Sequence, residues 1–332
     1  MKRIVVYSDG RPGHYNQSLA VAEALKALFP SEIHYREIGT GRAKKYLLRM
    51  MLNRGLGRRV LKSLPAKRTL AWFYPEIAPD EVPDIVVSSG KETSLPNALT
   101  GLLYGSKTLF VGNPKKLDHR LFTYVLTVLD LGFDNQILLD VAPTLLYKGD
   151  IEAFCAEHGL DPALPYATLL IGGDGSGYRY TESEIDALIT FVNATASEIN
   201  WLVTTSRRTD EAFERKMQRE MRAAMFVAYH EAPQKVVGPF LALSDIVYVT
   251  EESASMVSEA VASGKKVYSL VPNNASLPKD YRQIIQKFEQ KNLIQRKYFG
   301  YLWKDEINNQ QNTTVNNSFK KLVETLKRDM DL

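Results

Sequence analysis

Asp245-IVYVTEESASMVSEAVASGKKVYSLVP-Asn273 is the stretch whose reading decides the fold. Ile246 to Val249 is a β-branched and aromatic run of the kind that forms a buried strand. Thr250-Glu251-Glu252-Ser253 supplies turn and helix-capping side chains. Met256, Val257, Ala260 and Val261 then fall on one helical face, Gly264 stops the helix, and Val267 to Val271 reads as the next strand. A strand, helix, strand unit of this kind builds a parallel sheet, and ligands of open parallel sheets sit at the carboxyl ends of the strands. At that position the stretch offers Glu251, Ser253 and Ser255 beside the free N–H groups of a helix start, a setting suited to phosphate. Glu259, one turn into the helix, is placed to hold ribose hydroxyls. The unit reads as a nucleotide-sugar pocket.

The rest of the chain agrees with a two-domain α/β protein. Its 332 residues, 45% apolar and 24% charged, suffice for two domains of ordinary size. The opening MKRIVVYSDG has too short an apolar run for a signal peptide, and no window approaches a membrane span. Cys155 is the single cysteine, which excludes an intrachain disulfide and a thiolate metal cluster. The expected compartment is the cytoplasm. The net charge of +4 hides an asymmetry, because Arg42 to Arg68 carries ten Lys/Arg and no Asp/Glu. Arg42, Lys45 and Arg49 share one helical face there, and Tyr46, Leu47, Met50 and Met51 another. Such a segment suits an anionic membrane surface, here the inner face of the cytoplasmic membrane. Nucleic acid is not expected, since no stacking aromatics interleave the cations. The alternative is a core-packed helix with a solvated basic face.

Residues 1–150 read as the first Rossmann-like domain. They hold a strand over Arg3–Tyr7, a helix from about Gln17 to Phe29 with Val21, Ala24, Leu25 and Leu28 as its stripe, and further strands in Asp84-IVVSS-Gly90, Lys107-TLFVG-Asn113 and Tyr124–Leu129. Residues 151–166 read as a linker, with two prolines and few β-branched residues. A second βα series fills 167–307, and the polar run 308–317 precedes an amphipathic helix over 318–331 that is expected to cross back to the first domain. Two such domains, with parallel sheets facing a central cleft, describe a GT-B-like α/β architecture.

Four loops carry the candidate chemistry. Ser8-Asp9-Gly10-Arg11-Pro12-Gly13-His14-Tyr15-Asn16-Gln17 follows the first strand. It is not a dinucleotide fingerprint or a Walker loop, because the three-glycine spacing and the Gly-Lys-Ser/Thr ending are both missing. Histidine is suited to proton transfer near neutral pH, so His14 is a candidate general base, with Asp9 beside it. Gly10, Arg11, Gly13, Asn16 and Gln17 are candidate acceptor contacts. In Ser88-Ser89-Gly90-Lys91-Glu92, Glu92 is a rival base and Lys91 a contact for an anionic acceptor. Ile171-Gly172-Gly173-Asp174-Gly175-Ser176-Gly177 has four glycines in seven residues, which predicts positive-φ positions and backbone N–H groups able to cradle phosphate. Asp174 is expected to cap the loop or bind a sugar hydroxyl. Thr204-Thr205-Ser206-Arg207-Arg208-Thr209 offers a guanidinium fork to phosphate, with Arg207 taken as the inward-pointing member and Arg208 as its neighbour. No metal motif is visible and no cofactor is called for, so the leaving group would be neutralised by arginine, N–H groups and a helix dipole.

SDGRPGHYNQSLAVAEAL, LLIGGDGSGYRY, TTSRRT and VTEESASMVSEAVASGKKVY, in this order, resemble the family of predicted glycosyltransferases that includes bacterial lipooligosaccharide outer-core enzymes and a plant mitochondrial fission factor. More distantly the chain is similar to the peptidoglycan N-acetylglucosaminyltransferase, whose Gly-Gly-His loop and ribose-binding helix glutamate would correspond to Gly13-His14 and Glu259. Val237-Gly-Pro-Phe240 and Thr127-Val-Leu-Asp130 depart from the family's pattern. The resemblance implies transfer of a sugar from a nucleotide-sugar donor to a lipid-linked or lipopolysaccharide-type acceptor. A non-catalytic membrane adaptor and a nucleotide-sugar epimerase or hydrolase are the alternatives, since one fold hosts many functions.

Overall fold

A computed structural model describes residues 1–39, 43–77, 81–175, 177–273, 276–299, 302 and 318–330, with the side chain of Ala43 left out. Ser176 of the glycine loop and the polar run 308–317 therefore lie outside the described residues. The chain forms two compact units, Met1–Leu145 together with Ser318–Leu332, and Leu146–Asn317.

In unit 1 the strands are β1 (Lys2–Ser8), β2 (Ser31–Glu37), β3 (Ile85–Ser89), β4 (Lys107–Val111), β5 (Tyr124–Thr127) and β6 (Gln136–Leu138), in the order β2-β1-β3-β4-β5-β6. Every pair in this sheet is parallel. One face is covered by α1 (Pro12–Leu28), whose Ala20, Val21, Ala24 and Leu25 pack with Ile4, Val6, Ile85 and Val87. The other face carries α2 (Ala43–Asn53), α3 (Gly55–Ser63), α4 (Ala66–Phe73) and α5 (Lys91–Tyr104). The basic segment is thus three short helices. Their inward residues are Leu48, Leu52, Leu61 and Leu70, while Tyr46, Leu47 and Met50 are left exposed.

Unit 2 repeats the plan. It contains α6 (Ile151–His158), β7 (Tyr166–Leu170), α7 (Glu182–Thr195), β8 (Asn200–Thr204), α8 (Glu211–Glu220), β9 (Met225–Val227), α9 (Val237–Leu243), β10 (Ile246–Thr250), α10 (Ala254–Ala262), β11 (Lys266–Val271), α11 (Lys279–Gln290) and β12 (Gln295–Tyr298). The sheet order is β12-β11-β10-β7-β8-β9, again wholly parallel. Its core centres on Trp201, which lies against Phe191 and Tyr248.

Three segments differ from what the sequence predicts. The first loop ends early, because Pro12 stands at the start of α1, where its fixed φ is pre-set for a helix and its missing N–H costs nothing. His14, Asn16 and Gln17 are therefore helical residues. The segment 151–166 is not a plain linker. Asp150 accepts the Ala153 N–H at 3.0 Å, Gly159 closes the helix in the left-handed region, and Phe154 of α6 meets Phe240 of α9 edge-on. Finally, Ser31–Glu37 forms the edge strand β2, which its polar sequence does not announce.

The final helix, α12 (Ser318–Asp329), inserts Leu322 and Leu326 into the α1 side of unit 1. Leu326 is fully buried, so Leu326→Ala is expected to destabilise the protein by about 2–5 kcal/mol. Urea unfolding followed by tryptophan fluorescence and far-UV dichroism measures it, and a loss under about 1 kcal/mol would show that α12 is an accessory to this core.

Candidate active site

The strand register places the candidate loops. Tyr7 pairs with Ser88, so the carboxyl ends of β1 and β3 lie side by side. There the Asp9 carboxylate, with only 2% of its side chain exposed, receives His14 Nδ1 at 2.9 Å and the Arg11 N–H at 3.3 Å. A carboxylate facing Nδ1 favours the tautomer that carries its proton there, leaving Nε2 as the basic nitrogen. His14 Nε2 has no hydrogen-bond partner among the described residues, and 29% of the side chain is exposed. Gly90, which in the sequence is simply a turn residue, makes room for this pair. Its φ is +93°, and a Cβ there would overlap the His14 ring at Nδ1. Gln17 joins the same edge by accepting the Ser89 hydroxyl at 2.7 Å. Gly10 takes φ +75° in the turn, Arg11 is the exposed N-cap of α1 with its guanidinium 3.9 Å from Asp9, Gly13 and Asn16 are half-buried on α1, and Lys91 is exposed at the start of α5.

Glu92 is in a different state. Lys45 of α2 makes a direct ion pair with it, and that bond holds the Glu92 carboxyl below the usual carboxylate range. A carboxylate so engaged is a poor proton acceptor. His14 and Glu92, equal candidates in the sequence, are thereby separated.

In unit 2, Val249 pairs with Leu170 and Leu170 with Thr204, which sets the turns after β10, β7 and β8 next to one another. The glycine loop is tied to both neighbours. The Gly172 N–H donates to Thr250 Oγ1 at 2.8 Å, Ser206 donates its hydroxyl to the Gly172 carbonyl, and Gly173 bridges to Arg208. Gly172 is needed for space, since a Cβ would overlap Glu252 Oε1 and fall 3.0 Å from Ser253 Cβ. Asp174 accepts the Tyr180 N–H at 2.9 Å and so caps the loop. Arg207 and Arg208 exchange the roles expected of them. The turn closed by the Thr209 N–H on the Ser206 carbonyl sends Arg207 to solvent and lays Arg208 along the glycine loop, 4.0 Å from Glu252. Ser253 is the N-cap residue of α10 but makes no side-chain cap, and Ser255 is exposed in the first turn.

Glu251, expected to face the donor, is instead part of the interior. Its carboxylate accepts Tyr178 Oη at 2.6 Å, Ser269 Oγ at 2.8 Å, and Arg296 Nε and Nη2 at 2.8 Å each, while Tyr281 donates to its carbonyl. Four donors leave this carboxylate no lone pair for a ligand. The sequence gives no hint of Arg296 as the partner, since it comes from edge strand β12. Glu252, which the sequence offers only as part of the turn and cap, is buried against Tyr180 and Thr250, and desolvation pushes its carboxyl up to about 7. Glu259 on α10 is likewise pushed up to about 7 by desolvation alone, and no hydrogen bond to its carboxyl occurs among the described residues.

With this geometry in place, residues 12–313 match the family described as mitochondrial fission ELM1. The chain belongs to that family. No curated protein matches the sequence. Among solved structures, this ELM1-family chain is similar to MurG of Acinetobacter baumannii, at 14% identity over 99% of this chain and 100% of that one, with a TM-score of 0.50. It is similar to the glycosyltransferase SnogD from Streptomyces nogalater, at 12% identity over 98% and 95%, with a TM-score of 0.53. It is also similar to the UDP-GlcNAc 2-epimerase of Methanocaldococcus jannaschii, at 12% identity over 99% and 100%, with a TM-score of 0.55. At these identities the likeness defines the fold, which is GT-B.

Gly90→Ala forces a strained backbone and drives a methyl group into His14, so it should displace the imidazole from Asp9. The His14 ring resonances in NMR spectra would change their chemical shift and line width, and unaltered resonances would show that the ring has other support. Glu259 keeps its proton in the folded state up to about pH 7 but loses it near the ordinary 4.5 when unfolded. Its contribution to stability is therefore full below about pH 4.5 and fades as pH rises to about 7. Glu259→Gln should flatten the fall in unfolding free energy between those limits, and a slope equal to that of the unmodified protein would contradict the burial argument.

Proposed function

We propose that this ELM1-family protein is a glycosyltransferase that uses a nucleotide-sugar donor. The observation that carries the reading is the Asp9–His14 pair, with its orienting carboxylate buried and Nε2 left open. In the proposed step, His14 Nε2 takes the proton of an acceptor hydroxyl as that oxygen bonds to the anomeric carbon. The bond from the anomeric carbon to the diphosphate oxygen breaks, and its electron pair leaves with the nucleoside diphosphate. Asp9 stabilises the imidazolium that results.

Unit 2 is assigned the donor. Backbone N–H groups of Gly172 and Gly173, the guanidinium of Arg208 and the first turn of α10 at Ser253 and Ser255 would meet the diphosphate charge. Glu259 would accept ribose hydroxyls. The adjacency of the glycine loop to both neighbouring turns supports this assignment, as does the GT-B fold. Arg207 serves the solvent side, and Glu251 shapes the turn without touching the donor.

The acceptor is assigned to unit 1 and is proposed to be a lipid-linked or lipopolysaccharide-type saccharide, with the protein peripheral on the inner face of the cytoplasmic membrane. Ten cations in Arg42–Arg68, with Tyr46 and Leu56 each 75% exposed among them, support a membrane-facing role. Among the described residues no helix is long and apolar enough to cross a membrane. The exposed apolar side chains also favour a second reading, a membrane adaptor that keeps the fold without turnover.

A thermal-shift panel with UDP, GDP, CMP, ADP and their sugar conjugates decides between them. A nucleotide at about 100 times its Kd adds about 2.7 kcal/mol of stability, and the shift should vanish in Arg208→Ala. With the donor known, His14→Ala should lower kcat by about 10²–10⁴-fold with donor KM little changed, while Glu92→Gln should cost about threefold or less. Absence of any nucleotide shift in the folded protein would favour the adaptor. Full activity of His14→Ala would remove it from the mechanism.

A further inference from the structure

The edge of the unit 1 sheet opposite the candidate site carries a surface cavity of about 520 Å³ that the reading above leaves unused. It lies at the amino-terminal ends of β4 and β5, under α3 and the carboxyl-terminal half of α5. Its wall beside the sheet includes Thr108 and Thr123, whose hydroxyls are already engaged. Each accepts the other's backbone N–H at 2.9 Å. The cations are different. Arg58, Arg59 and Lys62 of α3 line the cavity and have no carboxylate partner among the described residues, whereas the fourth, Arg120, is paired with Asp118. Arg58 and Lys62 are one turn apart on one face of α3, and Arg59 lies beside them. Leu61 is buried on the core side of the helix. Leu56 and Val60, also one turn apart, stand exposed on the remaining face, followed by exposed Leu64. A cationic face turned to a cavity and an apolar face turned to solvent, on one nine-residue helix, fit a ligand that is anionic at one end and greasy at the other.

We propose that this cavity binds the phosphate-monoester headgroup of an anionic lipid, with Arg58, Arg59 and Lys62 holding the phosphate and Leu56 and Val60 lying against the acyl region. Three unneutralised cations suit a dianionic phosphate better than a singly charged diester. The inference deepens the membrane part of the proposed function and rests on that part for the source of the phosphate. It adds a discrete site, with one lipid bound per chain, at the edge of the sheet away from His14.

Short-chain phosphatidic acid below its micelle concentration, titrated by calorimetry at physiological salt, tests the site without any need for turnover. The expected result is saturable binding of one molecule per chain. In R58Q/K62Q it should weaken about tenfold or more. It should weaken about twofold or less in the charge-matched control K26Q/K321Q, whose exposed lysines stand on α1 and α12 across the sheet from the cavity, because exposed charges beyond about 8 Å are largely screened at that salt. Inorganic phosphate separates the two sources. Binding much weaker than that of the lipid, together with weaker lipid binding in L56S/V60S, supports the headgroup site. Phosphate binding as tight as the lipid's, and unaffected by L56S/V60S, overturns the lipid assignment. Equal losses in R58Q/K62Q and K26Q/K321Q overturn the site in favour of a diffuse basic field. So does a loss of thermal stability in R58Q/K62Q with lipid binding unchanged, which would assign the cations to the carboxyl end of α5. A chain that binds phosphatidic acid in this way but transfers no sugar would sink the glycosyltransferase reading and leave the cavity assignment standing.

Discussion

A carboxylate fully removed from water organises unit 2 of this protein. Glu251 sits at the carboxyl end of β10, and burial of an unpaired charge there would be prohibitive. Arg296 meets it with a two-pronged bond, Tyr178 and Ser269 fill its remaining lone pairs, and Tyr281 fixes its carbonyl. Those partners come from the segment after the glycine loop, from β11, from α11 and from β12, so one side chain ties four separate parts of unit 2 to the turn that opens α10. Replacing either charge with a neutral residue would strand the other. The network therefore fixes the turn at 250–253, and through Thr250 and Glu252 it fixes the glycine loop packed against that turn.

The candidate loops of the two units use opposite means. In unit 1 a small glycine, Gly90, leaves room for an imidazole, and a buried aspartate orients it. In unit 2 glycines bring backbone close to buried acids and to Arg208. Lys45 links the basic helices to the site edge, because α2 carries both exposed apolar residues and the cation that restrains Glu92. The same helix thus faces solvent on one side and regulates the basicity of a βα turn on the other.

Much of this is legible in the sequence, and the reasons are physical. Buried strands such as Ile85–Ser89 and Ile246–Thr250 announce themselves because both faces are covered and the run is apolar. The turns at their carboxyl ends announce themselves through glycine and hydroxyl side chains. What stays hidden depends on direction and partnership. Edge strand β2 is half solvated, so SEIHYRE shows no apolar run. Arg207 and Arg208 have identical side chains, and only the Ser206–Thr209 turn decides which faces inward. Glu251 reads as a ligand group in the sequence because its partner Arg296 lies 45 residues further on, in a strand without a strong signal. His14 and Glu92 can be ranked only once Asp9 and Lys45 are placed beside them.

The position of α12 has a consequence for biosynthesis. Its leucines complete the apolar side of α1, yet they are translated only after the whole of residues 146–317. Domains usually finish in the order in which they emerge from the ribosome. Here that order is inverted, since unit 2 has all its strands while the α1 side of the first-made unit still lacks Leu322 and Leu326. The nascent chain must carry that uncovered surface through the synthesis of an entire second domain, and during that interval it is a natural client for a chaperone.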